Sequence, residues 1–437
     1  MLRLFSSQAF TVAMACTTLL INTVFGADPA VREQEAATTA KPPAPASSPS
    51  RFPDYTNITG VVAQADLPLQ EPSVQLKVAS ETIDANGATV AHSVTDAVIA
   101  DGVLYFGDEL GGLTAFKIDD ETKLWTHEHG SRLSVKPAVD RDFVYFGSTT
   151  GITALHRESG EVAWQHAIER GAGEAVPIPV GDHVYASGYD GNAYCLQRLT
   201  GEVVWKHDFV ADAPADPKGF DGKRARFGDI VARPNGAACD GQLFIQCIFD
   251  QSRVIALDCA TGTRQWSFQT EGWISPAPTI ADGRVFVVSQ DKRLYCVDFK
   301  SGNLVWKFET PSWLASRVAV HAGSVYLPHH KARIYQLAAE SGKLLRTFEP
   351  ADEVDRDTAV YSFPLIANQT LYFASGEGQI YAYNIETGEL RWKYRPAEGS
   401  ELFTDPATDG RWIFVTSRPN SEKKSGESAV IAVGLDP

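Results

Sequence analysis

The 437-residue chain has only two methionines and six cysteines. So few cysteines over this length exclude a small scaffold held together by disulfides. Basic residues are also scarce: 39 Lys and Arg face 54 Asp and Glu, for a net charge of -15. That balance argues against a nucleic-acid surface, which needs concentrated cations. It suits a soluble, monomeric domain kept apart by self-repulsion. The chain has no C-x-x-C, H-E-x-x-H or G-x-S-x-G, and no Gly-rich phosphate loop closed by Lys and Ser/Thr. Dithiol, zincin, hydrolase-elbow and nucleotide-loop chemistries therefore lack their usual signatures. No segment carries a long apolar period of 3.6 residues, so little helix is expected. With 35 glycines, the composition fits turn-rich sheet.

The N-terminus reads as an export signal. In residues 1–26 Arg3 is the only charge, an apolar stretch ends in LLINTVFGA, and Gly26 and Ala27 offer a small-residue cleavage point. Cys16 follows Ala-Met-Ala, but Ala13 replaces the Leu usual in a lipoprotein box, so no lipid anchor is expected. The mature chain is then periplasmic or secreted, with no transmembrane segment. Residues 27–53, rich in Pro, Ala, Ser and Thr, bury too little apolar area to fold and read as a tether. Residues 54–73 form a leader without an assigned structure. Five cysteines follow the signal, an odd number that leaves at least one unpaired within the chain. Cys239, Cys247 and Cys259 share one repeat, which makes an intrablade disulfide an option. Cys195 and Cys296, in YCL and YCV, read as small buried side chains.

What the chain has in abundance is repetition. A strand, a polar turn, a second strand and a Thr/Ser-Gly-x-x-x-Trp turn and strand recur about every 40 residues, the mark of a repeat architecture. The Trp column is Trp125, Trp164, Trp205, Trp266, Trp306 and Trp392, with Arg346 once in its place. Eight central hairpins precede or follow these turns, from DGVLYFG to DGRWIFV. Short alternating strands joined by Gly-containing turns are the grammar of antiparallel sheet. One four-stranded sheet cannot bury both faces, but a ring of them can. The fold expected over 74–437 is an all-β, eight-bladed β-propeller, with seven blades as the alternative. The eighth hairpin lacks an outer strand, and VQLKVAS (residues 74–80) is placed to supply it and close the ring. The tryptophans are read as packing between blades, not as ligand platforms.

Departures from the repeat are where function is sought. The largest, residues 207–235, alternates Lys223, Arg224 and Arg226 with Asp216, Asp221 and Asp229, and is a candidate partner-binding loop. PADEVDRDTAV forms a second insertion. RPNSEKKSGES forms a third, expected on the opposite side because it joins two central strands. Inner strands bring residues to the central channel, and Lys136, Glu174, Trp273, Arg317 and Tyr361 are the candidate ligand residues there. Basic side chains at such a place suit an anion. His127, His129, His329 and His330 read as surface features, not metal ligands. No catalytic residue and no metal site is assigned.

Units such as VYFGSTTGITALHRESGEVAW and LYFASGEGQIYAYNIETGELRW resemble the pyrroloquinoline-quinone-type (PQQ-like) propeller repeat. The resemblance covers residues 74–437 and implies fold more than activity. One branch of that family consists of periplasmic dehydrogenases that use the quinone with calcium. It would give Trp273 a stacking role and Arg317 an anion-binding role. This chain lacks that branch's adjacent Cys-Cys pair and a complete acidic calcium-and-base set. The other branch resembles the lipoprotein scaffold of the outer-membrane β-barrel assembly machine, which has eight blades and no cofactor. Size and export signal place this chain nearer to it. The expectation is a noncatalytic, cofactor-free scaffold that binds envelope proteins. The alternatives are a quinone- and calcium-dependent alcohol or sugar dehydrogenase and a small-molecule or glycan-binding propeller.

Overall fold

The computed structural model describes residues 61–62, 70, 72–83, 89–92, 94–131, 133, 136–172, 176–211, 234–248, 252–274, 276–314, 316–330, 332–350, 360, 362–402, 405–419 and 428–434. They form eight four-stranded antiparallel blades. Blades 1 to 7 run Val98–Glu128, Ala138–Ala167, Ile178–Asp208, Pro234–Gln269, Thr279–Glu309, Ala319–Phe348 and Leu365–Tyr394. Blade 8 takes Ala407–Thr408, Ile413–Pro419 and Ala429–Gly434 from the C-terminal end, and its outer strand, Ser73–Val78, from the N-terminal side. The register pairs Val74 with Val433, Leu76 with Ala432 and Val78 with Val430. The expected strand exchange therefore closes an eight-bladed ring. Among the described residues no helix is long and apolar enough to cross a membrane.

The core lies between blades, as the single-sheet argument requires. Leu76, Phe414, Val430 and Ala432 of blade 8 bury against Leu104 and Phe106 of blade 1, so apolar packing seals the exchanged seam. Elsewhere the Trp column does this work. Except in blade 4, where Ile245 buries beside Trp266, each indole packs on an aromatic of its own blade, as in Tyr145–Trp164 at 6.0 Å and Tyr185–Trp205 at 6.0 Å between ring centres. Its Nε1 donates to a carbonyl of the next blade: Trp125 to Arg157 at 3.0 Å, Trp164 to Arg198 at 2.8 Å, Trp205 to Cys259 and Trp266 to Phe299 at 2.9 Å. Beneath every indole except Trp392, whose next blade has the exchanged outer strand, lies the turn glycine of that next blade. Gly201 has φ +71°, and a Cβ there would meet Trp164 at 2.5 Å. Glycine is required twice, for the left-handed backbone and for the approach of the ring.

Two irregularities of the repeat follow from this contact. Arg346 takes the place of Trp, and its guanidinium donates to the Ile385 carbonyl at 3.2 Å. In blade 1 the turn position holds Glu121 at φ 50° instead of glycine. The blade before it, blade 8, has Ser73–Val78 as outer strand, which carries no Trp, so no indole covers Glu121.

Strand direction divides the ring into two faces. First strands run away from the blade-to-blade connections, so those connections and the turns between second and third strands share one face, the connector face. The first-to-second and third-to-fourth turns occupy the turn face. The connections Asp208 to Pro234, Phe348 to Leu365, Val78 to Val98 (with the hairpin Ser80–Ile83 and Thr89–His92) and Pro419 to Ala429 all leave from the connector face. The last of these was expected on the opposite side. In a four-stranded antiparallel blade, however, the turn after the second strand returns to the connector side. The structure shows this directly: Ser400 and Leu402, in the blade 7 to blade 8 connection, pair with Pro419 and Ser417. The signal segment and tether, the Lys223/Arg224/Arg226 cluster and the insertions themselves lie outside the described residues.

Candidate functional site

The blades can be superposed by register, because one residue of each inner strand pairs with an aromatic or Ile on the second strand. These pairs include Val98 with Tyr105, Ala138 with Tyr145, Ala319 with Tyr326, Leu365 with Tyr372 and Ala407 with Phe414. Two residues earlier, at the connector-side mouth of the channel, the column reads Asp96, Lys136, Val176, Gly236, Ala277, Arg317, Phe363 and Asp405 around blades 1 to 8. The charged residues and Phe363 fall on five consecutive blades, 6-7-8-1-2. Blades 3, 4 and 5 contribute only Val, Gly and Ala.

Asp405 organises the charged half. Its Oδ2 accepts from Arg317 at 2.5 Å and lies 3.4 Å from Lys136 Nζ. Its Oδ1 accepts the Phe363 backbone N–H at 2.9 Å. The Arg317 guanidinium also stacks over the Phe363 ring, 4.4 Å from its centre. One carboxylate thus ties blades 2, 6, 7 and 8 together. Burial alone would raise the Asp405 pKa, but Arg317, Lys136 and the Phe363 N–H outweigh it and hold the carboxyl below the usual range. Asp96 behaves oppositely. Burial and then the Asp405 carboxylate push it up to about 6, against Lys136, Arg418 and the Asp405 backbone N–H.

Of the five channel candidates, the structure brings two together, Lys136 and Arg317, and does so on an acid that the sequence reading left out. Trp273 lies in the connection into blade 5, four residues ahead of the Ala277 column position. Its carbonyl accepts from Gln290 N–H at 2.8 Å. Glu174 and Tyr361 lie outside the described residues. Asp405 was legible: aligning VKPAV with TDPAT sets it in the column of Lys136. The histidine pairs lie toward the connector face among hydroxyls, but His329 is buried and not the surface feature expected. His129 Nε2 lies 2.9 Å from Ser148 Oγ, and His329 Nε2 lies 3.0 Å from Ser312 Oγ. Burial lowers both, His329 to about 4.

A quinone with calcium, as in the dehydrogenase branch, needs clustered oxygen donors. Among the described residues no group of three or more His, Cys, Asp or Glu is arranged to hold a metal ion. The two cations best placed for a quinone carboxylate already serve Asp405. The described residues therefore do not assemble that site.

The class is now defined: an eight-bladed β-propeller of PQQ-like repeats whose channel mouth is crossed by its own ion pairs. The family model described as outer membrane protein assembly factor BamB matches residues 73–166, 149–236 and 223–433, and the chain belongs to this family. The BamB of Shewanella oneidensis is 22% identical over 185 residues, covering 39% of this chain and 41% of that protein. The quinohemoprotein alcohol dehydrogenase ADH-IIG of Pseudomonas putida is 28% identical over 137 residues, covering 29% of this chain and 17% of that one. The chain thus spans less than half the length of these curated relatives. The crystal structure of BamB from Moraxella catarrhalis superposes with TM-score 0.61 at 15% identity, over 84% of this chain and 100% of that one, a likeness of fold.

Proposed function

We propose that this chain is an exported, noncatalytic scaffold that binds envelope proteins through its connector face. The observation that carries this is the distribution of irregularity. Every long interruption of the repeat leaves from one face, while the turn face keeps short, near-identical turns. A rigid ring that varies only on one face is built to hold loops in fixed relation. The self-paired channel mouth and the membership in the BamB family support the same reading. Residues 1–26 act as the export signal and 27–53 as a spacer. The Lys223/Arg224/Arg226 cluster contributes electrostatic complementarity, which sets partner choice and encounter rate.

The test is a pull-down from envelope extract with Lys223→Glu/Arg224→Glu/Arg226→Glu beside the parent chain. Loss of a specific partner at unchanged thermal stability supports the reading. Capture of the same partners in the same amounts removes that loop from it.

The match to quinoprotein alcohol dehydrogenases motivates a second reading, oxidation of alcohols or sugars with quinone and calcium. Calorimetric titration with pyrroloquinoline quinone, with and without calcium, separates the two. Saturable binding that weakens in Lys136→Ala or Arg317→Ala favours the second reading. No saturable heat favours the scaffold.

A further inference from the structure

The inner strands of a propeller expose unpaired backbone N–H and C=O groups to the channel, the same liability as any sheet edge. Five of the eight blades here blunt that edge with a proline directly after the mouth column: Pro137, Pro177, Pro278, Pro364 and Pro406. Among the described residues, one of these five blades also has its channel edge filled. Val61–Val62 adds as a fifth strand to blade 7, parallel to the inner strand, with Val61 opposite Ile366 and Val62 opposite Ala367. The same two residues also lie against the inner strand of blade 6, Ala319–His321.

The direction of this strand is informative. Inner strands run from the connector face to the turn face, so a parallel partner runs the same way. The outer strand of blade 8, Ser73–Val78, starts at the turn face, because it is antiparallel to Ala429–Gly434. Four strands spaced 4.7–4.9 Å apart put the inner and outer edges of a blade about 14 Å apart. Residues 63–72 reach up to about 33 Å when extended. Ten residues are therefore long enough to join Val62 to Ser73.

We propose that the central channel is a docking groove for an extended peptide, and that its occupant is this chain's own leader. Val61–Val62 pairs by main chain with blade 7, beside the inner strand of blade 6, and runs from the connector side toward the turn side. Main-chain pairing supplies the affinity and the β-branched valines suit a strand. The channel edge of blade 7 is then occupied from within. This inference does not depend on the scaffold reading.

Hydrogen exchange read by mass spectrometry on the full mature chain tests it. Val62→Pro removes a backbone donor from the added strand. A second variant begins at residue 72, keeping Ser73–Val78. The peptide spanning Leu365–Ala367 is followed, with Thr279–Ala281 of blade 5 as internal control. The proposal expects exchange in the blade 7 peptide to accelerate about ten-fold or more in both variants, with blade 5 unchanged. Should truncation loosen the whole ring, seen as lost blade 5 protection, Val62→Pro decides alone. Unchanged blade 7 exchange in Val62→Pro overturns the proposal.

Discussion

Three glycines with nearly the same backbone but different neighbours isolate the contact that joins the blades. Gly102, Gly201 and Gly388 have φ of +72°, +71° and +82°. A Cβ at Gly102 meets nothing within 4 Å, at Gly201 it meets Trp164 Cε3 at 2.5 Å, and at Gly388 it meets an Arg346 guanidinium nitrogen at 2.8 Å. Alanine at any of them incurs left-handed strain of about 1–2 kcal/mol. A stiffer unfolded chain offsets about 0.4–1 kcal/mol of this at each site. Gly201→Ala adds overpacking of about 1–3 kcal/mol, because a buried indole has nowhere to retreat. At Gly388 the obstacle is the end of a flexible side chain, so most of that increment should vanish. Urea unfolding followed by circular dichroism should rank the losses Gly201→Ala well above Gly388→Ala, with Gly102→Ala smallest. The indole is confirmed as the cause if Gly201→Ala costs little more than Gly102→Ala once Trp164 is replaced by Ala. Equal losses at Gly201 and Gly102 would refute the reasoning, leaving φ alone as the reason for glycine.

Asp405→Ala strips Lys136, Arg317 and the Phe363 N–H of their shared acceptor, and should lower stability by about 3 kcal/mol in the same urea assay. Asp96, raised to about 6, should show the opposite pH sense. The folded state holds its proton more tightly than the unfolded chain, so its contribution is full below about pH 4 and is lost as pH rises through 6. Asp96→Asn should therefore gain stability over the parent at pH 7.5 and lose most of that advantage at pH 4.5. An advantage independent of pH would contradict the assignment. Burial pushes the Cys195 and Cys296 thiols up to about 12, so iodoacetamide at pH 8 should leave both unlabelled in the native protein and label them after unfolding. Arg346→Trp restores the repeat residue above Gly388 and should keep or raise the melting temperature, whereas Arg346→Ala should lower it.

The ring was legible in the sequence because one physical requirement repeats in it. Five blades set a Trp over the turn glycine of the next blade, and this repeated Trp-plus-Gly pair records the plan in the chain. Even Arg346 and Glu121, which break the pattern, obey it once the neighbour is known. The strand exchange was legible for a related reason: a hairpin without an outer strand leaves an edge that VQLKVAS can fill. The channel mouth was only half legible. Lys136 and Arg317 stood out as cations and Asp405 aligns with Lys136 through TDPAT and VKPAV, but Asp96 resembled the many turn aspartates of the chain. Only strand register separates a residue of the mouth column from one two positions away. The Val61–Val62 strand gave no signal, because two valines carry no period. That RPNSEKKSGES joins two central strands does not put it on the opposite side, because counting strand reversals returns the second-to-third turn to the connector face.

The central claim is that partners meet the connector face. It is tested most directly by placing a photo-cross-linking amino acid in single variants on each face. Leu110, Thr149 and Trp313 serve on the connector side, and Ser159, Leu199 and Ser301 on the turn side. After illumination in intact cells, the account predicts discrete protein adducts from the first three positions and none from the others. Adducts confined to Ser159, Leu199 and Ser301 would contradict it.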